Sequence, residues 1–259
     1  EPTGENPPDG ALIDYYLGAE AQNVELNILD SKGALINNFS SDDRAEVLDT
    51  TKMQHPTYWI RPFKGLSDEP GQHRFIWNLR YKEPQGTNRA FAIAAVQYDT
   101  PSGPEGPFVA PGTYKVQLKV DGEILEKNIT VKLDPRSTMS DEALALQTDL
   151  SLQTYTDYGK LQEIREAIDT KLARKSRKQE KLLAFRGDGV PEDGDLIYGS
   201  IYASELEKET IVGLQSKLLF LLNVLQKTDA KPTAKTQEAA KLLHKRVTAM
   251  EALWETKYK

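Results

Sequence analysis

The chain contains no cysteine, which excludes disulfide bonds, thiolate metal sites and cysteine nucleophiles. It has only three histidines, and none of His55, His73 and His244 has a second ligand-type residue at metal-binding spacing. No apolar run approaches the roughly 20 residues that a membrane-spanning helix needs. We therefore expect no bound metal, no other cofactor and no membrane span.

An excess of basic charge is also missing. The chain carries 33 Lys and Arg against 39 Asp and Glu, so its formal net charge is −6. Because nucleic-acid binding needs a basic surface, we expect no nucleic-acid partner. The motifs of a serine nucleophile elbow, a P-loop and a dinucleotide-binding turn are absent as well. The sequence thus predicts that this chain is not an enzyme, although a carboxylate pair for hydrolysis is recognised only in space and stays open.

The amino-acid composition of the chain changes near residue 136. Of the 14 prolines, 12 precede residue 136, and the chain beyond it is rich in residues that favour helices. Leu133-Asp134-Pro135 ends the last predicted strand, and Ser140 is a good helix cap. We therefore predict two domains, residues 1–135 and residues 136–259.

The first of these domains has the alternating pattern of half-buried strands. Period-two alternation predicts strands over residues 11–17, 23–29, 34–39, 74–81 and 113–120, followed by a return strand that ends near Leu133. Residues 90–98 are apolar on both faces, which predicts a central strand there. The first three are expected to form an antiparallel meander, and Asp121-Gly122 is a tight hairpin turn. About seven strands with short turns predict an immunoglobulin-like antiparallel β-sandwich.

The second domain has helical periodicity in three places. A first helix begins after Ser140 and runs toward Phe185. A second contains the capping box Ser204…Glu207 and an apolar stripe from Ile211 onward. A third follows Thr233, a residue type that is preferred as a helix N-cap, and reaches Trp254. Short connections between amphipathic helices predict an antiparallel three-helix bundle.

The long connection between strands holds the candidate ligand-binding residues Tyr58, Trp59 and Arg61. An exposed aromatic ring beside an arginine can stack on a sugar, which indicates carbohydrate binding. The alternative is that Trp59 fills one end of the β-sandwich. Two further segments each have two interpretations. The acidic loop 188–195 is either an ion site or a solvated loop. The basic residues within 171–181 are either a docking site for an anionic partner or a solvated helix face.

Several motifs in one order resemble a known family. They are Asn6-Pro7-Pro8-Asp9-Gly10, Phe39-Ser40-Ser41-Asp42-Asp43, Tyr58-Trp59-Ile60-Arg61-Pro62, His73-Arg74-Phe75-Ile76-Trp77, Pro111-Gly112-Thr113-Tyr114, Asp134-Pro135-Arg136 and Asp229-Ala230-Lys231-Pro232-Thr233. Together they resemble the C-terminal region of bacterial exported sortilin-like proteins with BNR-repeat β-propellers, which are often labelled glycosyl hydrolases. Because the chain opens at Glu1-Pro2 without a methionine, we expect it to be a piece of a longer parent.

The resemblance implies a role rather than a reaction. In such proteins the propeller precedes this region, and the Asp-box repeats that mark a propeller are absent here. No catalytic residue can therefore be carried over. The expectation is a non-catalytic C-terminal accessory module of an exported protein, which packs on or positions the propeller domain of the same parent chain. A carbohydrate-binding module that uses Tyr58, Trp59 and Arg61 is the first alternative, and a hydrolase with an unrecognised carboxylate pair is the second.

Overall fold

The structure, a computed structural model of the protein, describes residues 10–43, 51, 56, 65–87, 104–174, 179–187 and 209–259. They form antiparallel β-sheets and, later in the chain, α-helices. Contacts group them into two compact units, and the helical part of the second unit begins at Pro135. Residues 83–87 and 104–107 also belong to this second unit. The prediction of two domains, 1–135 and 136–259, stays a prediction.

Six strands make up the described part of the first unit. They are β1 (Ala11–Leu17), β2 (Val24–Leu29), β3 (Leu35–Ser40), β4 (Gly71–Trp77), β5 (Gly112–Val120) and β6 (Glu123–Val131). One sheet has the order β1-β4, and the other has the order β3-β2-β5-β6. Every pairing is antiparallel. The predicted strand 90–98 lies outside the described residues.

The predicted meander of the first three strands is wrong, although each strand exists. β2 pairs with β3, but β1 pairs with β4 in the other sheet. Alternation fixes which face of a strand is buried and leaves its neighbour undetermined. Tyr15 and Leu17 of β1 share one core with Val24 and Leu26 of β2, so both strands show the same pattern from opposite layers.

The hairpin of β5 and β6 follows the sequence prediction closely. Asp121 and Gly122 both have positive φ, 48° and 95°, which is the type I′ geometry that matches the twist of the flanking strands. Val120 lies opposite Glu123 at the start of the ladder. Tyr114 and Val116 of β5 are buried, as their alternation predicts. The dipeptide Asp-Gly therefore sets both the turn and the register.

Aromatic rings join the two sheets across their common core. Phe39 of β3 contacts Phe75 of β4, with ring centroids 4.5 Å apart, and Trp77 of β4 meets the ring of Tyr114 edge-on at 5.8 Å. The Trp77 side chain is completely buried, and its Nε1 donates a hydrogen bond of 3.0 Å to the Arg80 carbonyl oxygen. Trp77 is thus a core residue.

The described part of the second unit contains four α-helices. These are α1 (Asp141–Ala173), α2 (Gln179–Arg186), α3 (Ile211–Gln226) and α4 (Ala234–Leu253), and a π-helical turn follows at Trp254–Tyr258. Ser140 caps α1 by accepting a hydrogen bond from the Ala143 amide, and Thr233 caps α4 through the Thr236 amide. Both caps were predicted. None of the described helices is long and apolar enough to cross a bilayer.

The start of α3 differs from the sequence prediction. Thr210 is extended, at φ −117° and ψ 162°, and its side chain accepts a hydrogen bond from the Gly213 amide, so the helix begins at Ile211. The predicted capping box Ser204…Glu207 lies outside the described residues. A threonine oxygen satisfies an early helix amide as a serine does, but the capping-box pattern favours Ser204 over Thr210 as the start of the helix.

The helical unit combines an apolar core with buried polar contacts along α1. Leu161, Ile168, Leu214 and Val247 are among the residues buried in the core. In addition, the side-chain amide of Gln147 donates to the carbonyl oxygens of Leu225 (2.6 Å) and Thr228 (2.8 Å) at the end of α3. Leu225 lies in the last turn of α3, where carbonyl oxygens lack amide partners further along the helix, and Thr228 follows that helix. Gln147 of α1 thus supplies hydrogen bonds at the end of α3.

Candidate functional site

The two-stranded sheet of β1 and β4 exposes a compact set of side chains. In both strands every second residue is exposed, while the residues between them are buried or half-buried. The exposed set, here named the outer face, consists of Leu12, Asp14 and Tyr16 from β1 and of Gln72, Arg74 and Ile76 from β4. Antiparallel register sets these six side chains opposite one another in three pairs.

A charged pair occupies the middle of the outer face. Asp14 lies opposite Arg74, whose Nε and Nη2 donate hydrogen bonds of 2.7 and 2.9 Å to the two carboxylate oxygens. This bidentate hydrogen bonding holds the pKa of the Asp14 carboxyl below its ordinary value and raises the pKa of Arg74. The pair is therefore fully charged at neutral pH, has no net charge, and holds the planar guanidinium in one orientation.

Apolar and aromatic side chains lie on both sides of that charged pair. Leu12 and Ile76 face each other at one end, and they are 46% and 40% exposed. Tyr16 lies opposite Gln72 at the other end and is 74% exposed. Aromatic, arginine and aliphatic side chains side by side are the composition of a protein-interface centre. The outer face thus has binding chemistry and no reactive group of its own.

The inner side chains of the same two strands hold the outer face in place. The Tyr15 hydroxyl donates a hydrogen bond to the Ser67 carbonyl oxygen (2.9 Å) and accepts one from the Ser67 amide (2.8 Å). Burial raises the pKa of this tyrosine. Its ring contacts the ring of His73, whose Nε2 is 2.7 Å from the Glu69 carbonyl oxygen. Strands that are anchored in this way present their outward side chains at fixed positions.

A second cluster of titratable groups lies in the helical unit. The side chain of Asp157 on α1 is 3% exposed, and its Oδ2 is 2.8 Å from Nδ1 of His244 on α4. Lys160 and Glu251 form an ion pair beside it, with 3.3 Å between Nζ and Oε2. Burial raises the pKa of the Asp157 carboxyl, while the hydrogen bond to His244 acts to lower that pKa. A buried acid beside a half-exposed imidazole is the arrangement of a proton-transfer pair.

The surroundings of this pair favour a structural role. The Thr154 hydroxyl donates to the Leu150 carbonyl oxygen, and the Ser151 hydroxyl accepts from Nε2 of Gln226. Both hydroxyls are thus engaged in helix contacts and neither is directed at His244 as a nucleophile. The described residues contain no group of three or more histidine and acidic side chains that could hold a metal ion. The pair joins α1 to α4.

The structure describes only some of the candidate residues that the sequence suggested. Tyr58, Trp59 and Arg61 lie outside the described residues, as do His55 and the acidic loop 188–195. Their predicted roles therefore stay predictions. Of the basic stretch 171–181, Lys171 has structural contacts: its Nζ donates to the Lys259 carbonyl oxygen at 2.9 Å and lies 5.7 Å from the Trp254 ring centroid.

Sequence reasoning missed the outer face and the Asp157–His244 pair for different reasons. Alternation puts Leu12 and Tyr16 on the face of β1 opposite its buried side chains and Ile76 on the corresponding face of β4, but it does not show that these two strands pair. The polar Asp14 and Arg74 at the same parity were the signal that this face meets solvent. Asp157 and His244 are 87 residues apart, and no spacing rule links them.

Comparison with known proteins assigns no family to this chain. No protein-family model matches the chain, and no curated protein matches it. A solved structure, that of CopC from Methylosinus trichosporium OB3b, is similar at 18% sequence identity over 51% of this chain and 88% of that chain, with a TM-score of 0.22. At this TM-score the likeness carries no argument about fold or function.

Proposed function

We propose that this chain is a non-catalytic accessory module that binds a protein partner through the outer face of β1 and β4. The observation that supports this most is the row of three pairs, in which exposed Leu12, Ile76 and Tyr16 flank a charged pair without net charge. A solvent-facing sheet surface without a function is normally polar. Three large apolar or aromatic side chains on one small face are a reason to expect a partner there.

The partner proposed is the β-propeller of the same parent protein. This part of the proposal rests on the resemblance to exported sortilin-like proteins, in which such a propeller precedes the C-terminal region. From the same resemblance we propose that the protein is exported. We also propose that the β unit is an immunoglobulin-like sandwich. The Tyr114 hydroxyl donates a 2.6 Å hydrogen bond to the Ala110 carbonyl oxygen, a local contact similar to the tyrosine corner of such sandwiches. The long helices α1, α3 and α4 share one core, which supports a three-helix bundle with α2 added to it.

Carbohydrate binding is the second candidate, and one observation favours it. Tyr16 is the most exposed of the large hydrophobic or aromatic side chains in the described part of the chain, and the Gln72 amide lies opposite it. A sugar ring can stack on such a tyrosine and bond to the amide. The aliphatic pair Leu12 and Ile76 is a poor surface for sugar hydroxyls, so the protein partner is preferred.

The experiment measures binding of the full chain to the propeller of its parent protein, produced separately, by isothermal titration calorimetry. Tyr16→Ala and Arg74→Ala remove outward-facing side chains, and we expect each to raise the Kd about tenfold or more, as interface-centre residues do. Leu242→Ala is the matched control, because Leu242 is 48% exposed but belongs to α4. We expect this control to leave the Kd unchanged.

Two results would overturn the proposal. The first is a parent protein without a propeller, which removes the proposed partner. The second is binding that survives both outer-face substitutions, which removes the proposed surface. A glycan array on the same variants distinguishes the second candidate: saccharide binding that Tyr16→Ala abolishes would replace the protein partner with a carbohydrate.

A further inference from the structure

The two edges of the four-stranded sheet differ. At the β3 edge, the Lys82 amide donates to the Ile36 carbonyl oxygen (3.3 Å), and Nζ of Lys82 donates to Oδ1 of Asn38 (3.0 Å). The chain itself therefore covers part of that edge. In the described residues, β6 pairs with β5 only, and nothing comparable lies along its other side. An uncovered edge strand is a template for another strand.

The hairpin turn determines which backbone groups of β6 are free. In the type I′ turn the Glu123 amide points to the Val120 carbonyl, so Glu123 directs its backbone groups toward β5. Because the direction alternates along an antiparallel strand, Ile124 and Glu126 direct theirs away from β5, toward the open edge. Two residues near the hairpin tip can thus hydrogen-bond an added strand.

Exposed apolar side chains lie on both faces of that same tip. Ile124 is 54% exposed and Leu125 is 66% exposed, and as neighbours in a strand they project from opposite faces. A single strand added to β6 would cover both at once, whereas a ligand on either face of the sheet would cover only one.

The charges of β6 separate into two sets. On the face of Ile124, Glu126 bonds to Nζ of Lys115 (2.9 Å) and to Nε2 of Gln117 (2.9 Å). On the face of Leu125, Glu123 and Lys127 form no ion pair with any described residue. These two lie on either side of Leu125 and about 13 Å apart, which is too far for them to pair with each other.

A second copy of β6, related by a two-fold axis at Leu125, pairs both of these charges. Residues whose numbers sum to 250 then lie opposite each other, so Glu123 of each copy faces Lys127 of the other and the two Leu125 side chains meet. An axis at Lys127 would set the two Lys127 side chains opposite each other, and an axis at Glu126 would do the same with the two glutamates. Like charges directly opposite are destabilising. Among the charged residues within β6, only the register at Leu125 pairs unlike charges.

We propose that β6 is a self-association edge, through which two copies of this chain join their four-stranded sheets at the hairpin tip. Ile124 and Glu126 supply four backbone hydrogen bonds across the axis, and Leu125 supplies the apolar contact. The overlap is five residues long, so the dimer forms at high protein concentration and dissociates on dilution. The proposal is independent of the outer face, because the two surfaces lie on different sheets.

The test is sedimentation equilibrium of the full chain and of charge variants over a wide concentration range. Glu123→Lys and Lys127→Glu each replace two attractive pairs with two repulsive ones, so we expect each to raise the dimer Kd at least tenfold. An equimolar mixture of the two variants restores both attractive pairs, as does the double variant E123K/K127E. We therefore expect dimers in the mixture and in the double variant, and monomers in either single variant.

The control is Lys32→Glu, which changes the charge as Lys127→Glu does but lies in the turn between β2 and β3. We expect it to leave the dimer Kd unchanged, and circular dichroism of all variants shows that they remain folded. A wild-type chain that stays monomeric at its highest soluble concentration overturns the proposal. So does a dimer that neither single charge change weakens, or variants whose mixture forms no dimer.

Discussion

The substitution Trp77→Phe tests whether the two sheets share one packed core. The Trp77 side chain is completely buried, contacts Tyr114, and donates through Nε1 to the Arg80 carbonyl oxygen. That oxygen also accepts a 3.3 Å hydrogen bond from Nδ2 of Asn37, so the substitution leaves it with a partner. The lost hydrogen bond then costs only its net contribution, about 1 kcal/mol.

The smaller ring adds a packing cost. Phenylalanine leaves a cavity of roughly 40 Å³, which at about 24 cal/mol per Å³ costs about 1 kcal/mol. Apolar surface that is no longer buried costs about 1 kcal/mol more. We therefore expect the free energy of unfolding of the β unit to fall by about 3 kcal/mol, a large part of the stability of an ordinary domain.

Hydrogen exchange at the amides of β2 and β5 measures this loss for the β unit separately from the helices. We expect protection factors in these strands to fall by about two orders of magnitude, since each 1.4 kcal/mol is tenfold. Trp254→Phe in the helical unit is the matched control and should leave that protection unchanged. A loss below about 0.5 kcal/mol, the range of ordinary surface substitutions, would refute a shared core centred on Trp77.

Three further predictions concern single features. Asp157→Asn removes a buried carboxyl whose pKa is raised in the folded chain. Because ionising this carboxyl destabilises the folded wild type as the pH rises above the ordinary pKa of 3.8, the variant should gain stability relative to the wild type with rising pH. Urea unfolding at several pH values measures this difference, and a constant or falling difference would contradict the prediction. Gly122→Ala sets a side chain at φ +95° with open space around it, so denaturation should show a loss of about 1 kcal/mol from backbone strain alone. Finally, the chain should cleave no substrate in a broad glycoside panel, and turnover that one Asp or Glu substitution abolishes would show that it is an enzyme.

Local rules predicted the elements of this fold well, because their causes are local. Period-two alternation gave β1 its bounds and its buried face, and Asp121-Gly122 gave the hairpin its turn and register. Ser140 and Thr233 marked helix starts through the oxygen that each supplies to a nearby amide. In each case the residues that determine the structure are within a few positions of it.

Long-range arrangement could not be predicted in the same way. The pairing of β1 with β4 joins Ala11 to Trp77, and nothing in either segment specifies the other. The outer face depends on that pairing, since Asp14 meets Arg74 only when the strands are in register. Asp157 resembles any acidic residue of an exposed helix until α4 brings His244 against it. Sites built from distant segments follow from topology, which alternation leaves undetermined.

The contact of Gln147 with the end of α3 has a consequence for how order is shared among the helices. Its amide donates to the Leu225 carbonyl oxygen across a sequence separation of 78 residues, so the order of the last turn of α3 depends in part on α1 beside it. Any partner that strains or stiffens α1 would therefore change amide exchange near Thr228, which makes this helix end a remote reporter of events on α1.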